Sequence, residues 1–560
     1  MTEADKHIAQ ALRDKKSFLV DAGAGSGKTY SLVEALTVLR TEMREELISN
    51  RQQVACITYT NVAKDEIIER TEHDGLLRVS TIHDFLWHLI QPYQSELRGA
   101  VQSYNDELGN RSRRKQDAAE LAAAMASGVR ISYSDRGSNF IEGRIHHDDL
   151  IAVGAIMFRT QDRLCKLVAS RYPYIFVDEY QDTSPAVVSI LLDELRRVAP
   201  EVVVGFFGDK AQAIYQRVVG ELSEAHKSTL LLIQKKENYR CATSVITVLN
   251  RFRSDIQQVP AGKNLEGAAV YVGMDKPGED GPESALQAAR DKLAGEVSFD
   301  RCKVLYLTHN LIAKKAKFIA LREAYTARSN FARDQFQSGK DPIANFLTDQ
   351  LDDLAEYWSN KNHPAVIDLL TSAGFRLVSV GQKAKIRTAL DALVHAADED
   401  KPISELLDIA KQNKLLVFPD RLADGITLAA MKEEEVEEDD LRYWTYYNAL
   451  LAVPASQLRA YKEAQRDLLP YATKHGVKGE EYDDVIVVLD DAAANWNLYS
   501  FNKLMSEDDT SAARAERSTN LLYVCMSRAK RNLVVANLGH TPEHAAKAEA
   551  LFGAENVVTQ

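Results

Sequence analysis

Residues 18–31 read FLVDAGAGSGKTYS, and their types and spacing are those of a loop that binds a phosphate chain. Glycines at alternate positions let the backbone curve around phosphates so that its N–H groups point inward. The helix that follows adds the positive end of its dipole. Lys28 would bridge the β- and γ-phosphates of ATP, and the Thr29 hydroxyl would bind Mg²⁺. The residues predicted to hold the nucleotide here are Ala22, Gly23, Ala24, Gly25, Ser26, Gly27, Lys28 and Thr29.

The segments on either side of this loop predict a strand before it and a helix after it. A short apolar run ends at Val20, and apolar residues recur at helical spacing from Leu32 to Leu39. Strand, loop and helix are the context that a phosphate-binding motif requires. One departure is Ala22, which stands where the pattern usually begins with glycine. The alternative interpretation is a glycine-rich turn that carries Gly-Lys-Thr by chance.

A second candidate group is the acidic pair in residues 174–183, YIFVDEYQDT. A buried strand would deliver Asp178 and Glu179 to its carboxyl end, where open α/β sheets bind ligands. Asp178 could hold the Mg²⁺ ion, and Glu179 is placed to orient or deprotonate the attacking water. Taken alone, the pair could also belong to a surface turn. The phosphate loop upstream favours the catalytic interpretation.

A third segment, residues 202–216, reads VVVGFFGDKAQAIYQ. Its apolar run predicts another buried strand that ends at Gly208 and Asp209. Gln212 lies just beyond that end. An amide at this position could reach the γ-phosphate and report whether it is present.

The apolar runs of the chain predict the scaffold that these residues need. Many runs are continuously apolar, as in strands buried on both faces of a parallel sheet. Amphipathic stretches lie between them, so the predicted class is α/β. The runs are residues 18–20, 54–58, 174–177, 202–207, 304–307, 485–489 and 533–535.

Two long stretches, residues 90–170 and 341–465, are helical in pattern and are predicted to be insertions into α/β lobes. The second contains an acidic run at residues 433–440. Such a run is either a solvated face or a contact for a partner protein.

Size and composition exclude several classes of protein. A chain of 560 residues should hold several domains, because single cores rarely grow beyond about 250–300 residues. The net charge of −12 gives no global basic signature for nucleic acid, although a local basic groove would suffice. The 5 cysteines are scattered, which argues against zinc, iron–sulfur clusters and disulfides. A polar N-terminus and the lack of a long apolar run predict a cytoplasmic protein that is not bound to a membrane.

With these motifs in this order, the chain resembles the UvrD/Rep-type superfamily 1 DNA helicases. The resemblance extends to about residue 535, nearly the whole chain, and implies two RecA-like parallel-sheet lobes of the phosphate-loop NTPase class. The further segments that match the family's order are 57–70 (ITYTNVAKDEIIER), 80–85 (STIHDF), 147–150 (HDDL), 238–240 (NYR), 473–482 (TKHGVKGEEY) and 523–529 (YVCMSRA).

The resemblance also implies roles for residues in these segments. Tyr239 would stack on adenine, and Glu481 would bind the ribose. Arg240 and Arg528 would act as arginine fingers that stabilise charge on the transferred phosphoryl group. The implied DNA contacts are Tyr59, Thr60, Asn61, Thr81, His83, Tyr215, Arg217, Thr473 and His475.

Two positions depart from the family. Tyr30 stands where arginine is frequent, so adenine could be held between Tyr30 and Tyr239. Arg217 stands where a tryptophan is expected two residues after Tyr215. Because base–aromatic stacking is worth about 1–3 kcal/mol per base, this loss could weaken the grip on DNA. A guanidinium could stack in its place.

The implied first lobe covers residues 1–89 and 171–255, and the insertion 90–170 interrupts it. The second lobe covers residues 256–340 and 466–560, and the insertion 341–465 interrupts it. Residues 305–315 and 478–501 look similar to the helicase subunits of anti-phage systems such as Gabija.

Two functional hypotheses remain open. In the first, the protein is an ATP-driven translocase on single-stranded or partly duplex DNA. It would move 3′→5′, as the resemblance implies, in DNA repair or phage defence. In the second, it is an ATP-gated DNA sensor that regulates a separate nuclease subunit and unwinds poorly by itself. A small-molecule kinase would use the phosphate loop but would not account for the later motifs.

Overall fold

The structure is a computed structural model in which the chain folds into two compact units. The first unit contains Met1–Ala269 and Glu507–Arg531, and the second contains Val270–Ser506 and Asn532–Gln560. The residues that the structure describes are 2–109, 112, 114–134, 137–214, 220–253, 255–275, 281–293, 302–307, 309–374, 380–438, 440–465, 471–472, 480–494 and 499–560.

The strands are β1 (Phe18–Ala22), β2 (Val54–Thr58), β3 (Leu77–Thr81), β4 (Ser132–Tyr133), β5 (Arg144–Ile145), β6 (Tyr174–Asp178), β7 (Val203–Gly208), β8 (Leu231–Lys235), β9 (Glu237–Asn238), β10 (Val259–Pro260), β11 (Ala269–Gly273), β12 (Lys303–Tyr306), β13 (Tyr471–Ala472), β14 (Tyr482–Leu489), β15 (Ala529–Asn537) and β16 (Val557–Thr559).

The helices in the first half of the chain are α1 (Glu3–Arg13), α2 (Lys28–Glu42), α3 (Arg44–Ser49), α4 (Asn61–Arg70), α5 (Ile82–Ile90), α6 (Gln94–Glu107), α7 (Ala118–Ala126), α8 (His147–Thr160), α9 (Asp162–Arg171), α10 (Pro185–Ser189), α11 (Arg196–Val198), α12 (Glu224–Lys227) and α13 (Thr243–Phe252).

The helices that follow are α14 (Gly281–Lys292), α15 (His309–Lys315), α16 (Ile319–Arg328), α17 (Asn330–Gln337), α18 (Pro342–Phe346), α19 (Asp353–Ser359), α20 (His363–Ser372), α21 (Val380–Asp398), α22 (Ile403–Gln412), α23 (Asp420–Ala429), α24 (Leu441–Leu451), α25 (Ser456–Gln465), α26 (Asp491–Ala494), α27 (Phe501–Ser506), α28 (Ala512–Met526) and α29 (Ala545–Phe552).

A parallel sheet with the strand order β3-β2-β6-β7-β1-β8 forms the centre of the first unit. Strands β2, β6 and β7 are buried along their whole length, as expected for strands covered on both faces. Because the strands are parallel, their carboxyl ends meet at one edge. In register, Asp21 of β1 pairs with Gly208 of β7, and Asp178 of β6 pairs with Phe207. The three segments predicted to carry the functional residues therefore leave the sheet side by side, after β1, β6 and β7.

A second sheet, with the order β13-β12-β14-β15-β11-β16, forms the centre of the second unit. Strand β12 pairs in parallel with β13 and β14, and β11 pairs in parallel with β16. Two α/β units built on six-stranded sheets confirm the predicted fold class.

The stretches 90–170 and 341–465, predicted to be helical insertions, consist mainly of helices where the structure describes them. In the first unit, α8 packs against α5 and α6. In the second unit, α24 packs against α16 and α23, and its buried residues Tyr446 and Leu450 belong to the large core of that unit.

Residues 507–531 lie in the first unit, whereas the predicted lobes assigned them to the second. The reason is that helix α28 packs against α13 and against the short turn Lys210–Gln212 of the first unit. This placement puts Arg528 in the same unit as Arg240.

None of the described helices combines the length and the apolar character that crossing a bilayer requires. All five cysteines are free thiols.

Candidate nucleotide-binding site and DNA-contacting loops

The phosphate loop connects β1 to α2 and leaves the start of that helix open. Gly27 is the residue before the helix, with a φ of 78°, and no side chain caps the helix there. The first N–H groups of α2 are therefore directed at the place where an anion would bind. Ser26 is 1% exposed, and among the described residues its hydroxyl finds no hydrogen-bond partner.

At two positions of the loop, close neighbours leave no room for a side chain, so glycine is required there. A Cβ at Gly23 would lie 2.2 Å from Gln258 Nε2, and a Cβ at Gly25 would lie 2.7 Å from Arg240 Cβ. Gly25 also has a φ of 71°, which favours glycine. The loop is thus packed against the segment that carries NYR.

Ala24 is held on both sides of its backbone. Its carbonyl accepts hydrogen bonds from Asn238 Nδ2 at 3.0 Å and from Gln258 Nε2 at 2.8 Å. Its N–H donates to the Tyr523 hydroxyl at 3.2 Å. The loop backbone is therefore positioned by side chains from two distant segments. Sequence reasoning missed Gln258 and Tyr523 in this role.

Lys28 and the acidic pair come together at the edge of the sheet. Lys28 Nζ lies 3.5 Å from Glu179 Oε2. Glu179 has a left-handed backbone with a φ of 50°, and its N–H donates to Asp178 Oδ1 at 3.0 Å. The side-chain amide of Gln181 donates to the Glu179 carboxylate. The structure thus brings the predicted phosphate-binding lysine and the predicted water-activating glutamate into direct contact.

The two predicted arginine fingers lie close to each other within the first unit. Arg528 is 2% exposed, and its Nε donates to the Val524 carbonyl at 2.9 Å. Arg240 Nη1 donates to the Ser527 carbonyl at 3.2 Å. Burial, together with the positive charge of Arg240, lowers the pKa of the Arg528 guanidinium to about 10. Because the buried Arg528 and the half-buried Arg240 repel each other, this place favours an anion such as a phosphoryl group.

Gln212 joins one of these arginines to the third segment. Its Oε1 accepts a hydrogen bond from Arg528 Nη2 at 3.1 Å, and its Nε2 donates to Asp209 Oδ2 at 2.7 Å. The predicted sensor of the γ-phosphate is therefore in contact with a predicted finger.

The predicted adenine-binding tyrosines flank the start of α2. Tyr30 and Tyr239 are 49% and 47% exposed, and a Cβ at Gly27 would lie 3.7 Å from Tyr30 Cβ and 4.0 Å from Tyr239 Cδ2. Both rings are thus available to a base. Glu481, the predicted ribose ligand, is exposed and directly precedes β14 in the second unit.

The predicted DNA contacts of the first unit lie on two neighbouring loops. Strands β2 and β3 pair so that Thr58 is opposite Thr81. Tyr59, at 43% exposure, follows β2. The Thr60 and Thr81 hydroxyls accept N–H groups at the starts of α4 and α5, so both threonines also have a structural role as helix caps. Asn61 is exposed at the first position of α4.

His83 is packed among other rings instead of being freely exposed. Its ring lies 4.9 Å from that of His147 and 6.5 Å from that of Tyr133, between ring centroids. Burial and the neighbouring His147 lower the pKa of His83 to about 4. His83 is therefore neutral near pH 7 and would meet a DNA backbone as a hydrogen-bonding group, without charge.

Four predicted DNA contacts lie outside the described residues: Tyr215, Arg217, Thr473 and His475.

Comparisons with known proteins extend these observations. A family model described as an AAA domain matches residues 5–217. The chain is 24% identical over 679 aligned residues to the Gabija protein GajB of Bacillus cereus (strain HuB5-5), with 98% of this chain and 96% of GajB covered. It is 20% identical over 347 residues to the ATP-dependent DNA helicase PcrA of Staphylococcus aureus, with 52% of this chain and 46% of PcrA covered. These similarities confirm the predicted resemblance of the chain to the UvrD/Rep-like superfamily 1 DNA helicases.

The similarities support the predicted enzyme class, an ATP-hydrolysing DNA helicase. The chain spans less than half of the length of the PcrA relative and nearly the whole of GajB. A solved structure, the Pif1 helicase from Candida albicans, matches 57% of this chain and 53% of its own chain with 13% identity and a TM-score of 0.29.

Proposed function

We propose that the protein is a motor that uses ATP to move 3′→5′ on single-stranded DNA and to open duplexes. The observation that carries the ATP site is the arrangement of Arg240 and Arg528. Arg528 is buried beside Arg240, and the charge of Glu179 also acts on its pKa. A phosphoryl group bound here would therefore meet two guanidiniums and a carboxylate placed to orient water. In the same unit the phosphate loop presents its N–H groups at the start of α2.

Each residue of the site would have its own role in ATP hydrolysis. Lys28 would bind the β- and γ-phosphate oxygens, and Glu179 would orient the attacking water and accept its proton. Arg240 and Arg528 would stabilise the charge that develops on the transferred group. Tyr30 and Tyr239 would hold the adenine by stacking, and Glu481 would bind the ribose.

The Thr29 hydroxyl and the Asp178 carboxylate provide suitable oxygen ligands for Mg²⁺. Among the described residues, no group of three or more His, Cys, Asp and Glu side chains could hold a metal ion by itself. The nucleotide's own phosphates would complete the coordination of the ion, as is usual for Mg²⁺. When bound, the ion would neutralise phosphate charge.

Single-stranded DNA would cross the loops that follow β2 and β3. Tyr59 offers a stacking surface, and Thr60, Asn61, Thr81 and His83 offer uncharged polar groups. Such contacts tolerate any base sequence. Tyr215, Arg217, Thr473 and His475 remain proposed DNA contacts on the strength of the resemblance alone.

Phage defence is the role that the similarity to GajB favours, because that similarity runs along nearly the whole of both chains. Repair of DNA is the alternative role. In either case we expect the protein to work in the cytoplasm.

The decisive test is ATP hydrolysis by the purified chain with and without single-stranded DNA, beside the Lys28→Ala and Lys6→Ala variants. Lys6 is an exposed partner of Glu3 and serves as the control. We expect DNA to stimulate turnover in the wild type and in Lys6→Ala, and Lys28→Ala to lose it. A low rate that DNA does not change would overturn the motor and favour the regulatory role.

A second candidate function, a DNA-sensing subunit that binds a nuclease, is favoured by the surface of the second unit's insertion. Helices α22, α23 and α24 border a groove of about 520 Å³ with an apolar lining that includes Leu407, Phe418, Ile426 and Leu451. The exposed side chain of Met431 lies just beyond the groove residue Ala430.

The acidic segment, residues 433–440, follows directly. Its described carboxylates are exposed, and none of them forms an ion pair with another described residue. This surface repels DNA phosphates and fits an amphipathic, basic face of a partner protein. We expect the partner to be the nuclease subunit.

Copurification tests this contact. Glu434→Lys combined with Glu437→Lys should release a co-expressed nuclease partner, whereas Glu543→Lys, at an exposed site of the same unit, should retain it. Retention by both variants would exclude this surface as the docking site. A monomer that unwinds long duplexes unaided would count against the regulatory function itself.

A further inference from the structure

Arg253 is a buried arginine that follows helix α13, and none of the motifs includes it. Only 8% of it is exposed. Its Nε and Nη2 donate to the two carboxylate oxygens of Asp255, each at 2.8 Å. Its Nη1 donates to Asp209 Oδ1 at 2.7 Å and to the Tyr523 hydroxyl at 3.3 Å. One guanidinium thus joins three segments of the first unit.

Two of the three partners of Arg253, Asp209 and Tyr523, lead to residues of the ATP site. Asp209 accepts through its other oxygen from Gln212, and Gln212 accepts from Arg528. The Tyr523 hydroxyl accepts from the Ala24 N–H of the phosphate loop. A hydroxyl oxygen has two lone pairs, so Tyr523 can accept from Ala24 and Arg253 together. A continuous path of hydrogen bonds therefore runs from the phosphate loop through Arg253 to a predicted finger.

Arg253 also lies among buried carboxylates, whose negative charge it offsets. Asp209 is 0% exposed, and a carboxylate at such a site needs a partner. Asp21, at the end of β1, has a buried oxygen without a hydrogen-bond partner among the described residues. Burial and the charge of Asp209 raise the pKa of Asp21 to about 6, while Arg253 acts in the opposite direction. Arg253, with a smaller effect from Lys210, thus supplies positive charge to this acidic edge.

We propose that Arg253 is a positioning residue for ATP hydrolysis, which holds the Asp209–Gln212–Arg528 chain in register with the phosphate loop through Tyr523. This role deepens the proposed function and rests on it for the identity of the site. It requires the fork of an arginine, because a lysine ammonium cannot pair in plane with two carboxylates and a hydroxyl at once.

The first experiment compares Arg253→Gln and Arg253→Lys with a matched control, Arg514→Gln. Arg514 also makes a two-bond pair with a carboxylate, that of Asp509, in the same unit. We expect both Arg253 variants to lower the DNA-stimulated kcat by at least about tenfold, with the KM for ATP within about twofold of wild type. Arg514→Gln should leave both constants unchanged. A folded Arg253→Gln protein with wild-type kcat would overturn the positioning role.

A double-variant cycle tests whether Arg253 acts through Gln212. If it does, Arg253→Gln should add little to the loss in kcat that Gln212→Ala causes alone. Losses that multiply in full would show that Arg253 acts by another route and would overturn the proposal. If Arg253→Gln fails to fold, Arg253→Lys takes its place in the cycle.

Amide hydrogen exchange provides a readout that does not depend on turnover. The Ala24 amide should exchange faster in Arg253→Gln than in wild type, because its acceptor Tyr523 loses a partner, and it should be unchanged in Arg514→Gln. Unchanged exchange in Arg253→Gln would overturn the link to the phosphate loop. If the wild type hydrolysed no ATP, the proposed function would fail, and the exchange of Ala24 would still decide the role of Arg253.

Discussion

Glu179 occupies a backbone conformation that few non-glycine residues adopt. Its φ is 50°, and its carboxylate is held between Lys28 and Gln181. Such local strain persists where the surrounding structure fixes it, and it concentrates at functional sites. The Glu179 carboxylate lies beside Lys28, the predicted phosphate-binding residue, as its proposed role in activating water requires.

Replacing Glu179 by glutamine should separate nucleotide binding from hydrolysis. The amide keeps the shape of the side chain but cannot accept a proton, so turnover should fall about 100-fold or more. ATP affinity should change little. Binding of a fluorescent nucleotide and steady-state turnover measure the two effects, with Glu45→Gln at an exposed site as the control. Near wild-type hydrolysis in Glu179→Gln would exclude its role as the base.

Arg528 gives a second prediction at this scale. Its burial beside Arg240 lowers its pKa to about 10, so it stays charged at neutral pH. Removal of the guanidinium in Arg528→Ala should reduce ATP turnover by about 10³-fold or more, the effect that an arginine finger usually has on kcat. Affinity for single-stranded DNA should be retained.

The matched control is Arg514→Ala, and Arg528→Lys serves where the alanine variant unfolds. An equal loss of turnover and of DNA affinity would identify Arg528 as a DNA contact instead.

At the scale of elements, a glycine of the phosphate loop has a different role from a glycine inside a helix. A side chain at Gly25 would meet Arg240 and Asn238 and would have to adopt a φ of 71°. Gly99, inside helix α6, has no neighbour within 4 Å of its Cβ position. The same substitution should therefore have opposite effects at the two positions.

Gly25→Ala should destabilise the protein by about 1–3 kcal/mol and weaken ATP binding. Gly99→Ala should stabilise it by about 0.5–1 kcal/mol, because alanine is the better helix former. Thermal unfolding and nucleotide titration measure both variants. Equal stability of the two proteins would mean that the loop can open to accommodate a side chain.

The elements that the sequence predicts well are those whose pattern is local. Strand β2 was predicted with its observed bounds, and β1 and β6 begin at the predicted residues. The apolar pattern missed β3 and β8, which lie at the two edges of the sheet. Edge strands are less uniformly buried, and in β8 exposed residues are interspersed with buried ones. No continuous apolar run therefore marks these strands in the sequence.

The part of the site that sequence reasoning missed is formed by tertiary contacts. Gln258 and Tyr523 hold Ala24, and Arg253 joins Asp209 to Tyr523. These residues are far apart in the chain, and nothing in the local sequence around Arg253 or Gln258 signals a nucleotide. The placement of Arg528 beside Arg240 likewise depends on the return of α28 to the first unit.

At the scale of the whole molecule, the net charge of −12 restricts where DNA can bind. The acidic segment of the second unit repels phosphates, whereas the loops after β2 and β3 offer stacking and neutral polar groups. Binding should therefore be local, tolerant of sequence and weakened by salt. Neutralising the acidic segment should therefore not weaken the affinity for DNA, since we propose that this surface contacts a partner protein.

Direction of movement is the last property to test, because the proposal of 3′→5′ movement rests on the resemblance to UvrD/Rep-type helicases. We expect the protein, with ATP and Mg²⁺, to displace the strand of a duplex with a 3′ single-stranded tail and to leave a duplex with a 5′ tail intact. Glu179→Gln should bind both substrates and open neither, which separates binding from movement. Opening of the 5′-tailed duplex alone would reverse the proposed polarity. Opening of neither by the wild type, with DNA-stimulated hydrolysis intact, would assign unwinding to a complex with the nuclease partner.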